Sequence, residues 1–263
     1  MISNARKTEI NLLAQDIVEL YTWDNVIEPV TILENNGVEV IFDNYDADFE
    51  GLTIYRDKKF FVHINTKYIP QNSLRSRFTL AHEAGHFFIP EHNLELQRSY
   101  HPSKFHANET SLIEQEANYF ASALLMPDQQ FKDFCNRKKF SLEVVEQISK
   151  RFGVSRVAVL LRFIEIGNYP LMVAFCQNNK LSWLVRSDDF PYLGAFKSKY
   201  GHELPENSVV GEYFKLDNAK YTGIEKVKAD DWFYLNDDMI NKELNEQCFY
   251  SRYGYVVSMV WPD

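Results

Sequence analysis

The sequence predicts an α+β chain in three parts. Residues 1–130 form helices around a small sheet, residues 131–169 a helix-turn-helix-like module, and residues 170–263 a β-rich domain. Three observations carry this reading. In the first part, strand-like runs precede two long segments with helical spacing of apolar residues. In the second, two short amphipathic segments flank Gly153-Val154. In the third, runs of alternating character surround a hairpin signature.

The elements follow in order. Residues 5–22 read as an amphipathic helix with Ile10, Leu13, Ile17 and Leu20 on one side. VEVIF (38–42), GLTIY (51–55) and KFFVHI (59–64) read as strands, the last two joined by the polar turn Arg56-Asp57-Lys58. His63, on one of these strands, reads as a partly buried strand histidine. Pro70, Asn72 and Ser73 start a helix and Pro90 stops it, with Leu74, Phe78, Ala81, Gly85 and Phe88 as its core stripe. Residues 91–110 read as a polar loop carrying His92, Tyr100, His101 and His106. TSLIEQEANYFASALLMP then gives a second helix, with Ile113, Ala117, Phe120 and Leu124 on one face and Pro127 at its end. Its small residues Ala117 and Ala121 allow close packing against Gly85. A glycine costs about 1 kcal/mol inside a helix, so a close approach is the expected reason for it.

Residues 141–166 read as two helices, with Ser141 and Ser155 as caps. Lys150, Arg151, Arg156 and Arg162 give the pair a basic side. Beyond residue 170, LMVAFCQ and KLSWLVR flank Asn178-Asn179, and the closing stretch reads as two strands around Arg252-Tyr253-Gly254. Trp183, Trp232 and Trp261 are expected to anchor this β-rich core.

The chemistry lies in RFTLAHEAGHFFIP, where His82, Glu83 and His86 form the pattern H-E-x-x-H. Residues four apart share a helix face, so His82 and His86 can bring two imidazoles to one metal ion. Glu83 lies beside them as a candidate general base. A catalytic zinc needs a third protein ligand. Glu114 is the candidate, with Asn118 one turn on to orient a ligand. Glu116 is its rival, turned to another face of the helix. Ser111-x-x-Glu114 also reads as a capping box, which would give Glu114 a merely structural task. Tyr100, His101 and His106 are candidate donors to the oxyanion of a tetrahedral intermediate.

With RFTLAHEAGHFFIP, IEQEANYFASALLMP and ISKRFGVSRVAVLLRFIEIG in view, the chain resembles the ImmA/IrrE family of metallopeptidases over roughly residues 1–168. The resemblance implies zinc held by His82, His86 and Glu114, one ion per chain, with Glu83 as general base. It also implies a helix-turn-helix transcriptional repressor as substrate, whose loss switches on stress-response or mobile-element genes. Strands followed by the metal helix suit a zincin-like domain, in which an edge strand holds the substrate backbone. Residues 59–65 or 51–55 are the candidates for that strand.

Charge and composition set bounds. Residues 1–130 hold 10 basic and 19 acidic side chains, residues 131–170 hold 8 and 4, and residues 171–263 hold 10 and 14. An acidic catalytic half disfavours nucleic acid and favours a basic protein substrate. Direct DNA binding by the basic module is therefore not expected, and a contact with a protein substrate or neighbouring domain is. Three cysteines at wide spacing read as reduced thiols. No membrane span or signal segment is visible, so a cytoplasmic protein is expected. The expected activity is zinc-dependent endopeptidase. Its rival is a non-catalytic, zinc-containing regulator that binds DNA or a repressor, which would have no use for Glu83.

Overall fold

The computed structural model describes residues 2–21, 27–98, 111–198, 200–216, 221–235, 241–251 and 254–263. They form two compact units. One comprises Met1–Phe134 with Gln147–Val159, the other Cys135–Glu146 with Leu160–Asp263.

The first unit opens with α1 (Asn4–Tyr21). Its buried residues are Ile10, Ala14, Ile17 and Val18, while Leu20 is exposed, so the packed face is rotated from the expected one. A short helix not foreseen from the sequence follows, α2 (Pro29–Asn35), with proline at its start, where the missing N–H costs nothing. Strands β1 (Glu39–Asp43), β2 (Gly51–Arg56) and β3 (Lys59–Asn65) make a sheet in the order β1-β3-β2. β1 runs parallel to β3, and β2 antiparallel to it. The tight turn between β2 and β3 places Asp57 and Lys58 at positive φ. Strand β3 is central and has no free edge for a substrate. Of the two candidate strands only β2 keeps one, which corrects the choice of residues 59–65. His63 is half-buried, and its Nδ1 lies 2.6 Å from the Tyr45 hydroxyl.

Helix α3 (Leu74–Phe88) starts at Ser73, whose side chain accepts from the Ser76 N–H. Pro90 does not lead into a loop. It begins α4 (Pro90–Arg98), which buries His92 and Leu96, so the loop expected over residues 91–110 is helical in its described part. Tyr100, His101 and His106 lie outside the described residues. Helix α5 (Leu112–Leu125) packs on α3, and α6 (Asp128–Cys135) follows it. The close approach foreseen from sequence is present: a Cβ on Gly85 would stand 3.1 Å from the Ala117 Cα.

Helices α7 (Leu142–Phe152) and α8 (Arg156–Ile166) flank a turn in which Gly153 has φ +61°. Each gives residues to both units. The expected basic side is diminished. Arg162 is fully buried and pairs with Glu165 at 2.9 Å.

The second unit holds a sheet in the order β5-β4-β10-β9-β7, all pairs antiparallel. Its strands are β4 (Met172–Gln177), β5 (Lys180–Arg186), β7 (Glu225–Lys228), β9 (Glu243–Tyr250) and β10 (Val256–Trp261). Asn178 and Asn179, both at positive φ, close the hairpin between β4 and β5 as expected. A small ladder joins β6 (Ala195–Phe196) to β8 (Phe233–Tyr234), and short helices α9 (Val209–Tyr213) and α10 (Ala229–Trp232) complete the unit. Trp232 and Trp261 are buried. Trp183 is 38% exposed and stacks on Phe175, so it flanks the core and does not anchor it.

Candidate metal centre

Helix α3 turns His82 and His86 toward α5, and the ring nitrogens His82 Nε2 and His86 Nε2 stand 3.1 Å apart. Glu114 closes the group from α5, with Oε2 3.1 Å from His82 Nε2 and Oε1 3.5 Å from His86 Nε2. One ligand atom from each residue fits within a 4.8 Å span. The tight α3–α5 crossing at Gly85 and Ala117 makes this possible, because it brings Glu114 within reach of both rings. Ser111 does cap α5, accepting from the Glu114 N–H, but the Glu114 carboxylate goes to the histidines and not back to the helix start.

Asn118 occupies the orienting position expected for it, with Oδ1 3.0 Å from His82 Nδ1. Once a bound ion replaced the Nε2 proton that Glu114 accepts, an Nδ1–H donor to Asn118 Oδ1 would hold His82 in the tautomer a metal ligand needs. Burial alone lowers the His82 pKa, yet the Glu114 hydrogen bond and the charges of Glu83 and Glu114 outweigh it and hold the imidazole above its usual value. Burial pushes Glu114 up, but the hydrogen bonds from His82 and His86 bring it well below the carboxylate range. The donors fit zinc: two imidazole nitrogens and one carboxylate oxygen leave a fourth position for water. Glu114 Oε1 is buried, and beyond its 3.5 Å approach to His86 Nε2 it has no partner among the described residues, which suits it to a cation.

Glu116, the rival ligand, is buried elsewhere. Its Oε2 lies 2.8 Å from Arg6 Nη2 of α1 and 3.2 Å from His92 Nε2 of α4. His92 stands beneath the centre, its ring 5.3 Å from that of His86. Burial, followed by the nearby His86, pushes its pKa down to about 4. The sequence signal for this packing was present in Pro90 and Glu91, which suit a first helical turn.

Glu83 faces β2. The Thr53 hydroxyl donates to Glu83 Oε2 at 2.6 Å. Beside the centre lies a cleft of about 660 Å³, lined by Glu83, His82 and Glu114 together with Gly51, Phe78 and Arg75. Neither Thr53 nor Gly51 stood out in the sequence, where both read as ordinary strand positions.

Residues 33–163 match the family described as Peptidase_M78, the IrrE N-terminal-like domain. Through this domain the chain belongs to the Peptidase_M78 family. The family is one of metallopeptidases, and its matched segment contains His82, Glu83, His86 and Glu114. A solved structure titled Mycobacterium tuberculosis transcriptional regulator is similar over 97% of this chain and 76% of its own, with TM-score 0.61 and 13% sequence identity. At that identity the likeness concerns the fold. No curated protein matches the chain. Among the described residues of this Peptidase_M78 protein, no helix is long and apolar enough to cross a membrane.

Proposed function

We propose that the chain is a cytoplasmic zinc-dependent endopeptidase that cleaves a helix-turn-helix repressor. The observation that carries the chemistry is the joining of His82, His86 and Glu114 in one group, with Glu83 on the adjacent cleft wall. Zinc bound there would act as a Lewis acid on water and on the scissile carbonyl. The chain's own residues do the rest. His82, His86 and Glu114 hold the ion, and Asn118 keeps His82 in the right tautomer. Glu83 takes a proton from the attacking water and delivers it to the departing amine. Strand β2, at the sheet edge and beginning in the cleft at Gly51, can receive an extended substrate segment as an added strand.

The choice of substrate rests on the family resemblance and on charge. An acidic catalytic half attracts a basic protein such as a DNA-binding repressor. The fold shared with a protein titled a transcriptional regulator is in keeping with a task in gene control. Arg162, being buried and paired, adds nothing to a DNA-binding face, so a protein partner suits the module better than a duplex. The test is incubation of the zinc-loaded protein with helix-turn-helix repressors encoded beside it. Cleavage of one repressor, abolished by Glu83→Gln, is expected. Intact repressors alongside a salt-sensitive, sequence-selective DNA complex would favour the regulator instead.

A further inference from the structure

Glu83 is the one residue of the catalytic group whose position is set by the sheet. Strand β2 pairs with β3 so that Thr53 stands opposite Val62, and Gly51 opposite Ile64. Val62 and Ile64 are fully buried, and alternation sends Gly51 and Thr53 to that same inner face. Thr53 is 3% exposed and Glu83 2% exposed. The Thr53 hydroxyl lies 2.6 Å from Glu83 Oε2 and 3.3 Å from the Glu83 carbonyl oxygen. It has one proton, and the shorter, charged acceptor takes it. Two residues earlier the strand has no side chain at all. A Cβ on Gly51 would stand 2.6 Å from Glu83 Oε1, 3.0 Å from Glu83 Cγ and 2.5 Å from Thr79 Cγ2. The bare Cα of Gly51 therefore leaves room that the carboxylate occupies.

We propose that Gly51 and Thr53 form a clamp on β2 that positions Glu83, Thr53 by binding one carboxylate oxygen and Gly51 by leaving space for the other. Both are positioning residues, since each acts through Glu83. The inference rests on the reading of Glu83 as general base, and it adds a coupling to that reading. The strand that sets the base is the edge strand offered to the substrate. A substrate segment that orders β2 would also order the Glu83 carboxylate that Gly51 and Thr53 face.

The test uses the full chain and three variants, Thr53→Val, Thr53→Ser and Gly51→Ala. Metal content is measured by elemental analysis. Acetohydroxamate affinity is read from the visible spectrum of the cobalt-substituted protein, because a hydroxamate chelates the metal and shares its proton with the neighbouring base. Cleavage is followed on a library of internally quenched peptides. Thr53→Val and Gly51→Ala should keep about one zinc per chain, since neither touches a ligand. Each should weaken acetohydroxamate roughly tenfold and lower kcat by a similar factor with KM little changed, the scale of one hydrogen bond to a charged acceptor. Thr53→Ser should restore both to within about twofold, because it keeps the hydroxyl. Unchanged hydroxamate affinity in Thr53→Val, loss of its metal, or failure of Thr53→Ser to restore affinity would overturn the clamp. A wild type that takes cobalt and hydroxamate but cleaves no peptide would contradict the peptidase reading alone, and the hydroxamate comparison would still decide the clamp.

Discussion

Glu114 and Glu116 sit two residues apart on α5, both buried, and serve different partners. Two residues turn a helix by about 200°, so one carboxylate reaches His82 and His86 while the other reaches Arg6 and His92. Glu114→Ala should therefore lower zinc affinity sharply by leaving two ligands. Glu116→Ala should leave one zinc per chain and instead destabilise the fold, because Arg6 and the buried His92 lose their common acceptor. A competitive chelator titration separates the two results. The same assay has a pH dependence of fixed sign. His82 is held above its ordinary pKa, so protons compete with zinc for it at higher pH than for a free imidazole. Affinity should fall steadily as pH drops through and below neutrality. Glu114, held below the carboxylate range, should add no competition near neutrality. Residue types and helical spacing singled out His82, Glu83, His86, Glu114 and Asn118, and the structure brings His82, His86 and Glu114 into one group. Thr53 and Gly51 were not legible in the sequence. Their partner Glu83 is thirty residues beyond Thr53 and thirty-two beyond Gly51, and only the tertiary fold brings them to it.

At the scale of elements, the crossing of α3 and α5 governs the site. Gly85 lies against the Ala117 backbone, with a Cβ there 3.1 Å from the Ala117 Cα and 3.2 Å from Phe120 Cδ1. A larger side chain must push the helices apart. Gly85→Val should cost about 1–3 kcal/mol in stability, the usual penalty for overfilling a packed contact. It should also weaken zinc, since His82 and His86 move away from Glu114. Thermal melting with and without zinc checks both, and a variant that melts lower yet binds zinc normally would break the link between crossing and site. This crossing was readable in advance from a glycine in one helix and two alanines in the other. Helix α4 was not. Pro90 falls just past the end of α3 at Phe88, but proline also favours the first turn of a new helix, and here it begins α4. The exposed Leu20 shows the same difficulty on α1. Apolar spacing admits several faces, and the packing against α5 selects the one with Ile10, Ala14 and Ile17.

Over the whole molecule, the two units have different anchors. The first gathers His82, His86 and Glu114 where α3 packs on α5. The second closes on Glu246, a fully buried carboxylate that accepts from the Val209 and Val210 N–H groups, Trp232 Nε1 and the Ser258 hydroxyl. Glu246→Leu leaves these donors without an acceptor and should destabilise the second unit by at least about 3 kcal/mol. Zinc binding by the first unit should be unaffected, which calorimetry and metal analysis together can check. The hairpin at Asn178-Asn179 was legible because asparagine tolerates the left-handed turn. The role of Glu246 was hidden, since a glutamate within a strand pattern ordinarily reads as solvent-facing. The central claim remains the assignment of His82, Glu83, His86 and Glu114 to a zinc peptidase. Its most direct test is to compare wild type and Glu83→Gln for zinc content and for cleavage of the same repressor. The account predicts about one zinc per chain in both, with cleavage lowered by at least roughly a hundredfold in the variant. Equal cleavage by both proteins, or absence of zinc from the wild type, would contradict it.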